Sequence, residues 1–177
     1  MNKFLLVIAI FIASFANAQN PIFYLLVGTY TNGGKSEGIY VYRFNPNRTE
    51  ATLMSVAKGV ENPSYLTISK NEKFVYAVNE NHGDKGGELS AFALDKAKGQ
   101  LNYLNKQLVN GDDPCYVAVD STGKNVITAN YSGGNISVFK TNADGSLNAM
   151  AQQVSHDGYG INVQRQEMPH PHMADFS

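Results

Sequence analysis

The residues best equipped for chemistry gather late in the sequence. Pro169-His170-Pro171-His172 holds two imidazoles two positions apart, and Arg165-Gln166 stands just ahead of them. A neutral imidazole titrates near working pH and can take a proton from an attacking water. By this chemistry His172 is the first candidate for a general base and His170 the second. The Arg165 guanidinium could bind an anionic substituent or a developing oxyanion, with Gln166 as a neighbouring substrate contact. The structural alternatives are a histidine satisfied by backbone carbonyls and an arginine in a loop-anchoring salt bridge. His-x-His also occurs in metal sites, but no cluster of acids or cysteines completes a ligand set, so no metal is expected. His156-Asp157 reads as solvated loop rather than a dyad. Gly33-Gly34, Gly86-Gly87 and Gly133-Gly134 read as turns, because no helix follows to make a phosphate site.

The elements that must position these residues repeat. Pro63 to Leu101 contains four short β-branched and aromatic runs, Tyr65–Ser69, Phe74–Asn79, Leu89–Leu94 and the run starting at Leu101, separated by turn residues. The pattern recurs from Pro114: Tyr116–Asp120, Val126–Asn130, Ile136–Lys140 and Leu147–Val154. Pro63 and Asn79 both return 51 residues later, as Pro114 and Asn130. Upstream, 24–30, 39–44 and 53–56 supply the second, third and fourth strands of a unit whose first is missing. Pro171–Ser177 matches the first strand of a further unit. No window after residue 18 has sustained helical periodicity. Four-stranded units repeating about every 50 residues are the blades of a β-propeller, so the fold class is all-β, a propeller fragment of about three blades. The absence of tryptophan and the long period argue against WD-type blades.

Strand direction then sorts the loops. Antiparallel strands alternate, so 30–38, 80–87, 111–113, 131–134 and 155–169 emerge together on one face. The opposite face keeps compact turns such as 70–73 and 121–124. Function concentrates on loops held by a rigid scaffold, which makes the first face the working one. His172 occupies the repeat position of Ser64 and Cys115, at the start of the strand nearest the central channel. Tyr131, on the same face, is a candidate substrate contact. Asn79 and Asn130 read as caps on their strands, and Cys115 as a buried bystander.

Composition limits the rest. Net charge is −1 with 16% charged residues, which argues against nucleic-acid binding. A single cysteine permits no internal disulfide. Lys3, the apolar run from Phe4 to Phe15 and Ala16-Asn17-Ala18 form a secretory signal peptide over 1–18, with cleavage before Gln19. The run is shorter than the 17–25 or so residues that span a bilayer. The expected location is therefore periplasmic or secreted, with no membrane attachment after cleavage and residues 19–177 forming the propeller part.

Several stretches also carry a family likeness. Leu26-Val27-Gly28-Thr29-Tyr30-Thr31, Asn62-Pro63-Ser64-Tyr65-Leu66, Ala129-Asn130-Tyr131-Ser132-Gly133-Gly134 and Pro169-His170-Pro171-His172 resemble the lactonase family of seven-bladed propellers. That family includes propeller-type 6-phosphogluconolactonases and carboxy-muconate lactonizing enzymes. The resemblance implies hydrolysis of a sugar lactone without metal or organic cofactor, by a protein that is monomeric when complete. It implies a site completed by arginines and a glutamate from later blades, about four of which lie beyond Ser177, so this fragment alone is expected to be inactive. The rival readings are a non-catalytic propeller that binds a glycan or protein partner, and a cycloisomerase that forms the lactone from an unsaturated diacid.

Overall fold

The computed structural model describes residues 23–177. The first eighteen residues, read as a signal peptide, lie outside that range. Period-two alternation makes eleven strands in three antiparallel sheets. The first contains β1 (Phe23–Val27), β2 (Gly38–Asn45) and β3 (Glu50–Lys58). The second orders β4 (Leu66–Ile68), β5 (Phe74–Asn79), β6 (Glu88–Asp95) and β7 (Gln100–Leu108). The third orders β8 (Pro114–Val119), β9 (Asn125–Asn130), β10 (Asn135–Thr141) and β11 (Leu147–Ser155). A single 3₁₀ turn, Gly83–Lys85, is the one helical element among the described residues. The sheets follow chain order as up-and-down meanders, so each is one blade. Residues 171–177, expected as another first strand, form no ladder. A strand needs a neighbour to exchange backbone hydrogen bonds with, and none of the described strands pairs with it.

Packing between blades follows from alternation along the central strand. Val75 and Ala77 of β5 enter one core with Ile39, Val41, Val60, Phe92 and Leu101. Tyr76 and Val78 of the same strand enter a second core with Leu89, Val109, Val117, Val126, Phe139 and Leu147. Each fully buried apolar side chain of this size contributes about 1.5–3 kcal/mol, so blades cohere face to face without cross-links. Phe23 and Leu25, on the side of β1 away from this packing, are exposed. Strands β4 and β8 lie side by side, with the Tyr65 and Tyr116 rings 4.7 Å apart, while β3, β7 and β11 neighbour one another on the opposite side. First strands thus share one edge of the stack, and last strands the other.

Each third–fourth strand pair contains a bulge at the same place, between Val41 and Tyr42, Ala91 and Phe92, and Val138 and Phe139, and the last pair has a second between Phe139 and Thr141. A bulge adds local twist, and repeating it gives every blade the same curvature. Asn79 and Asn130, expected as caps, are buried at 2% and 0% exposure. The Ser90 hydroxyl donates to Asn79 Oδ1 (2.7 Å), whose Nδ2 donates to the Glu61 carbonyl (2.8 Å). Asn130 Nδ2 likewise donates to Ser137 Oγ (2.9 Å), and that hydroxyl donates to the Val109 carbonyl. These amides therefore join a blade's inner strands to the segment arriving from the previous blade, which satisfies polar groups that burial would otherwise penalise.

Two features of this frame are directly measurable. A Cβ on Gly28 would stand 1.9 Å from the Pro63 carbonyl oxygen, a backbone atom that cannot swing aside. In the whole protein Gly28→Ala is expected to cost about 2–3 kcal/mol in urea unfolding; a loss below about 0.5 kcal/mol would contradict the close approach of the first two blades. The Asp120 carboxyl is partly desolvated, which raises its pKa. Hydrogen bonds from Asn125 Nδ2, the Lys124 N–H and the Thr122 hydroxyl outweigh that and hold it below the ordinary 3.8. Its contribution is thus present above 3.8 and lost as pH falls through the lower folded value. Asp120→Ala is expected to cost about 1 kcal/mol at neutral pH, a low figure because solvent screens the site. That gap should close in acid, and a deficit independent of pH would contradict the assignment.

Candidate active site

The residues preceding the blade prolines organise the working face. Asn62, Asp113 and His170 stand immediately before Pro63, Pro114 and Pro171. Asn62 adopts φ 42° and Asp113 φ 50°, in the left-handed region that asparagine and aspartate tolerate better than most residues. Asn62 Oδ1 accepts the N–H groups of Thr31 (2.9 Å) and Asn32 (3.1 Å), from the loop of the first blade. Its Nδ2 donates to the Glu80 carbonyl (3.2 Å) and Asn81 Oδ1 (2.9 Å), in the corresponding loop of the second. Asp113 repeats the bridge one blade on. Its N–H donates to the Asn81 carbonyl (3.0 Å), its carbonyl accepts the Tyr131 N–H (2.9 Å), and its Oδ2 accepts the Ser132 hydroxyl (2.6 Å). Its Oδ1 lies 3.3 Å from His82 Nδ1.

His170 holds the third of these positions without the left-handed backbone, and its ring contacts the third blade's loop. Nδ1 donates to the Tyr131 carbonyl (3.0 Å), and the imidazole stacks on the Tyr131 ring at 4.4 Å and 16°. On its other side Nε2 lies 3.3 Å from Glu167 Oε1. Both neighbours are acceptors, so Nδ1 is held by the Tyr131 carbonyl and Nε2 faces a carboxylate. His172 packs against the same tyrosine ring, centroids 4.7 Å apart and tilted by 59°. Its Nδ1 is 4.0 Å from Cys115 Sγ, too long to tie it up, and its Nε2 meets no protein partner among the described residues. The structure thus gathers Tyr131, His170 and His172, three of the five residues singled out from sequence.

The other two behave differently. Gln166 braces its own loop: its Oε1 accepts the Asn162 N–H (3.2 Å) and its carbonyl accepts the Gly160 N–H (2.8 Å). Gly160 is what lets the amide fold back, since a Cβ there would sit 2.3 Å from Gln166 Oε1. Arg165 is exposed on the same loop, and its N–H donates to the Asn162 carbonyl (3.0 Å). Cys115 is half-buried at the rim instead of a bystander in the core. Burial, with Glu80 and Asp113 adding negative charge, pushes its thiol pKa up, which keeps the sulfur protonated and weak as a nucleophile. The same acids surround Tyr30. Burial and then the Glu80 carboxylate push that phenol up to about 12, so it stays an O–H donor. Sequence reasoning missed Asn62 and Asp113, although their shared place before the repeat's proline, also held by His170, was there to be read. Among the described residues no three His, Cys, Asp or Glu side chains converge in a way that could hold a metal ion.

Comparison with known proteins sets this geometry in a family. Residues 24–177 match the family described as "Lactonase, 7-bladed beta-propeller". A 6-phosphogluconolactonase of Bacillus subtilis is 39% identical over 151 residues, covering 85% of this chain and 42% of the relative. Among solved structures, a Bacteroides fragilis protein provisionally described as a 6-phosphogluconolactonase superposes with a TM-score of 0.80 at 46% identity, over 88% of this chain and 42% of that one. The periplasmic gluconolactonase of Pseudomonas aeruginosa superposes with a TM-score of 0.71 at 36% identity, over 77% and 39%. The chain therefore spans about two-fifths of the length of the relatives it matches. With three blades in sequential order and a match over nearly every described residue, this chain belongs to the lactonase family of seven-bladed β-propellers.

Proposed function

We propose that the whole protein hydrolyses a carbohydrate lactone to the open hydroxy acid and that His172 is its general base. The observation behind the choice is the contrast between the two imidazoles on Tyr131: His170 has both ring nitrogens engaged, and His172 has Nε2 free. In this reading a water attacks the ring carbonyl while His172 takes its proton, leaving a tetrahedral oxyanion. Collapse breaks the ring C–O bond, and the imidazolium returns the proton to the departing alkoxide. One water is consumed and one hydroxy acid formed. Tyr131 presents both rings and borders the substrate. Arg165, exposed and cationic, is the group this segment offers to steady negative charge. Export to the periplasm accords with the signal-like residues 1–18 and with the periplasmic location named for the Pseudomonas relative.

The test is lactone opening by the whole protein, followed on glucono-lactone and its 6-phospho derivative. His172→Asn should lower kcat by about 10²–10⁴-fold with a smaller change in KM, and His170→Asn should act more weakly. Turnover of the His172 variant within threefold of the parent would remove the residue from its role. A folded parent that binds but never opens either lactone would favour the binding-module reading.

A further inference from the structure

Asp113 touches neither imidazole, yet it controls the residue on which both rest. It holds the third blade's loop at two consecutive residues, accepting the Tyr131 N–H through its carbonyl (2.9 Å) and the Ser132 hydroxyl through Oδ2 (2.6 Å). Behind it, the N–H donates to Asn81 (3.0 Å) and Oδ1 meets His82 (3.3 Å), which ties that loop to the second blade. A further contact fixes the same point: the Gly133 N–H donates to the Asp112 carbonyl (3.1 Å). Tyr131 is thereby fixed by a neighbouring blade, and its ring and carbonyl then orient His170, and its ring His172. The side chain of Asp113 is only 24% exposed, so its bonds are largely shielded from competing water. At the equivalent place the uncharged Asn62 accepts from the preceding loop and donates to the following one, so a neutral amide spans two such loops without a negative charge.

We propose that Asp113 is a positioning residue, setting the Tyr131 loop so that the two imidazoles hold their working geometry; the kinetic side of this rests on the hydrolase reading above. Misplacing a reacting group by about 1 Å can cost on the order of a hundredfold in rate. Asp113→Ala in the whole protein is therefore expected to lower kcat by about 10–100-fold with KM changed by no more than about twofold. Asp113→Asn, with the side chain found at position 62, should recover kcat to within about threefold of the parent. A direct readout accompanies the kinetics. Stacking on Tyr131 displaces the His170 ring C–H proton resonances upfield, and in Asp113→Ala this displacement should shrink while near-UV circular dichroism stays native. Should Asp113→Ala fail to fold, Ser132→Ala removes the Oδ2 bond alone and should move the same resonances and kcat in the same direction. Unchanged resonances in a folded variant, an unchanged kcat, or an asparagine variant as impaired as the alanine one would overturn the proposal. A parent that opens no lactone would remove the hydrolase reading only, because the resonance measurement still decides what Asp113 does.

Discussion

A side chain that bridges two blades, placed just before the proline that starts each new one, is the interaction on which the working face depends. Apolar cores hold the blades together, but such packing is non-directional and says little about loop placement. The bridges at Asn62 and Asp113 supply direction. Each satisfies groups on two successive loops at once, and each occupies backbone space that favours a short polar residue. Fixed φ at the following proline adds stiffness to the same junction. The loops of the working face are thus spaced by hydrogen bonds and the blades by burial.

Placed in that frame, the two histidines have separate origins. His170 inherits the bridging position and retains part of its work, bonding to the Tyr131 carbonyl. His172 inherits the position of Ser64 and Cys115, at the rim of the first strand. The Ser64 hydroxyl oxygen is buried, and the Cys115 thiol is kept protonated by burial and nearby acids. An imidazole in the third of these places brings a titratable nitrogen to a rim whose other members stay neutral.

Much of the architecture was legible because strands at a blade's centre must alternate and the alternation recurs. β5 and β9 match their expected runs closely because both faces of each strand are packed. The outermost strand of the first blade is less legible: 53–56 extends to Glu50–Lys58, since its exposed residues 50–54 show no alternation to mark the start. The bulges were invisible, being an irregularity of pairing and not of composition. At the site, side-chain chemistry pointed to His170, His172 and Tyr131, and the structure brings these three rings together. For Gln166 the sequence left open whether the amide faces a ligand or its own loop; in the structure Oε1 accepts the Asn162 N–H, beside a Gly160 that leaves room for it. Asn62 and Asp113 looked like ordinary turn residues; their meaning lies in contacts some 20–30 residues away.

The central claim is that the free imidazole at the channel rim is the group whose proton governs turnover. It is tested most directly by following the His172 carbon resonance against pH in the whole protein and setting the result beside the pH dependence of kcat/KM for lactone opening. The account predicts an acidic limb whose midpoint coincides with the titration of His172. A rate that stays flat through that titration, or a limb that follows a different group, would contradict it.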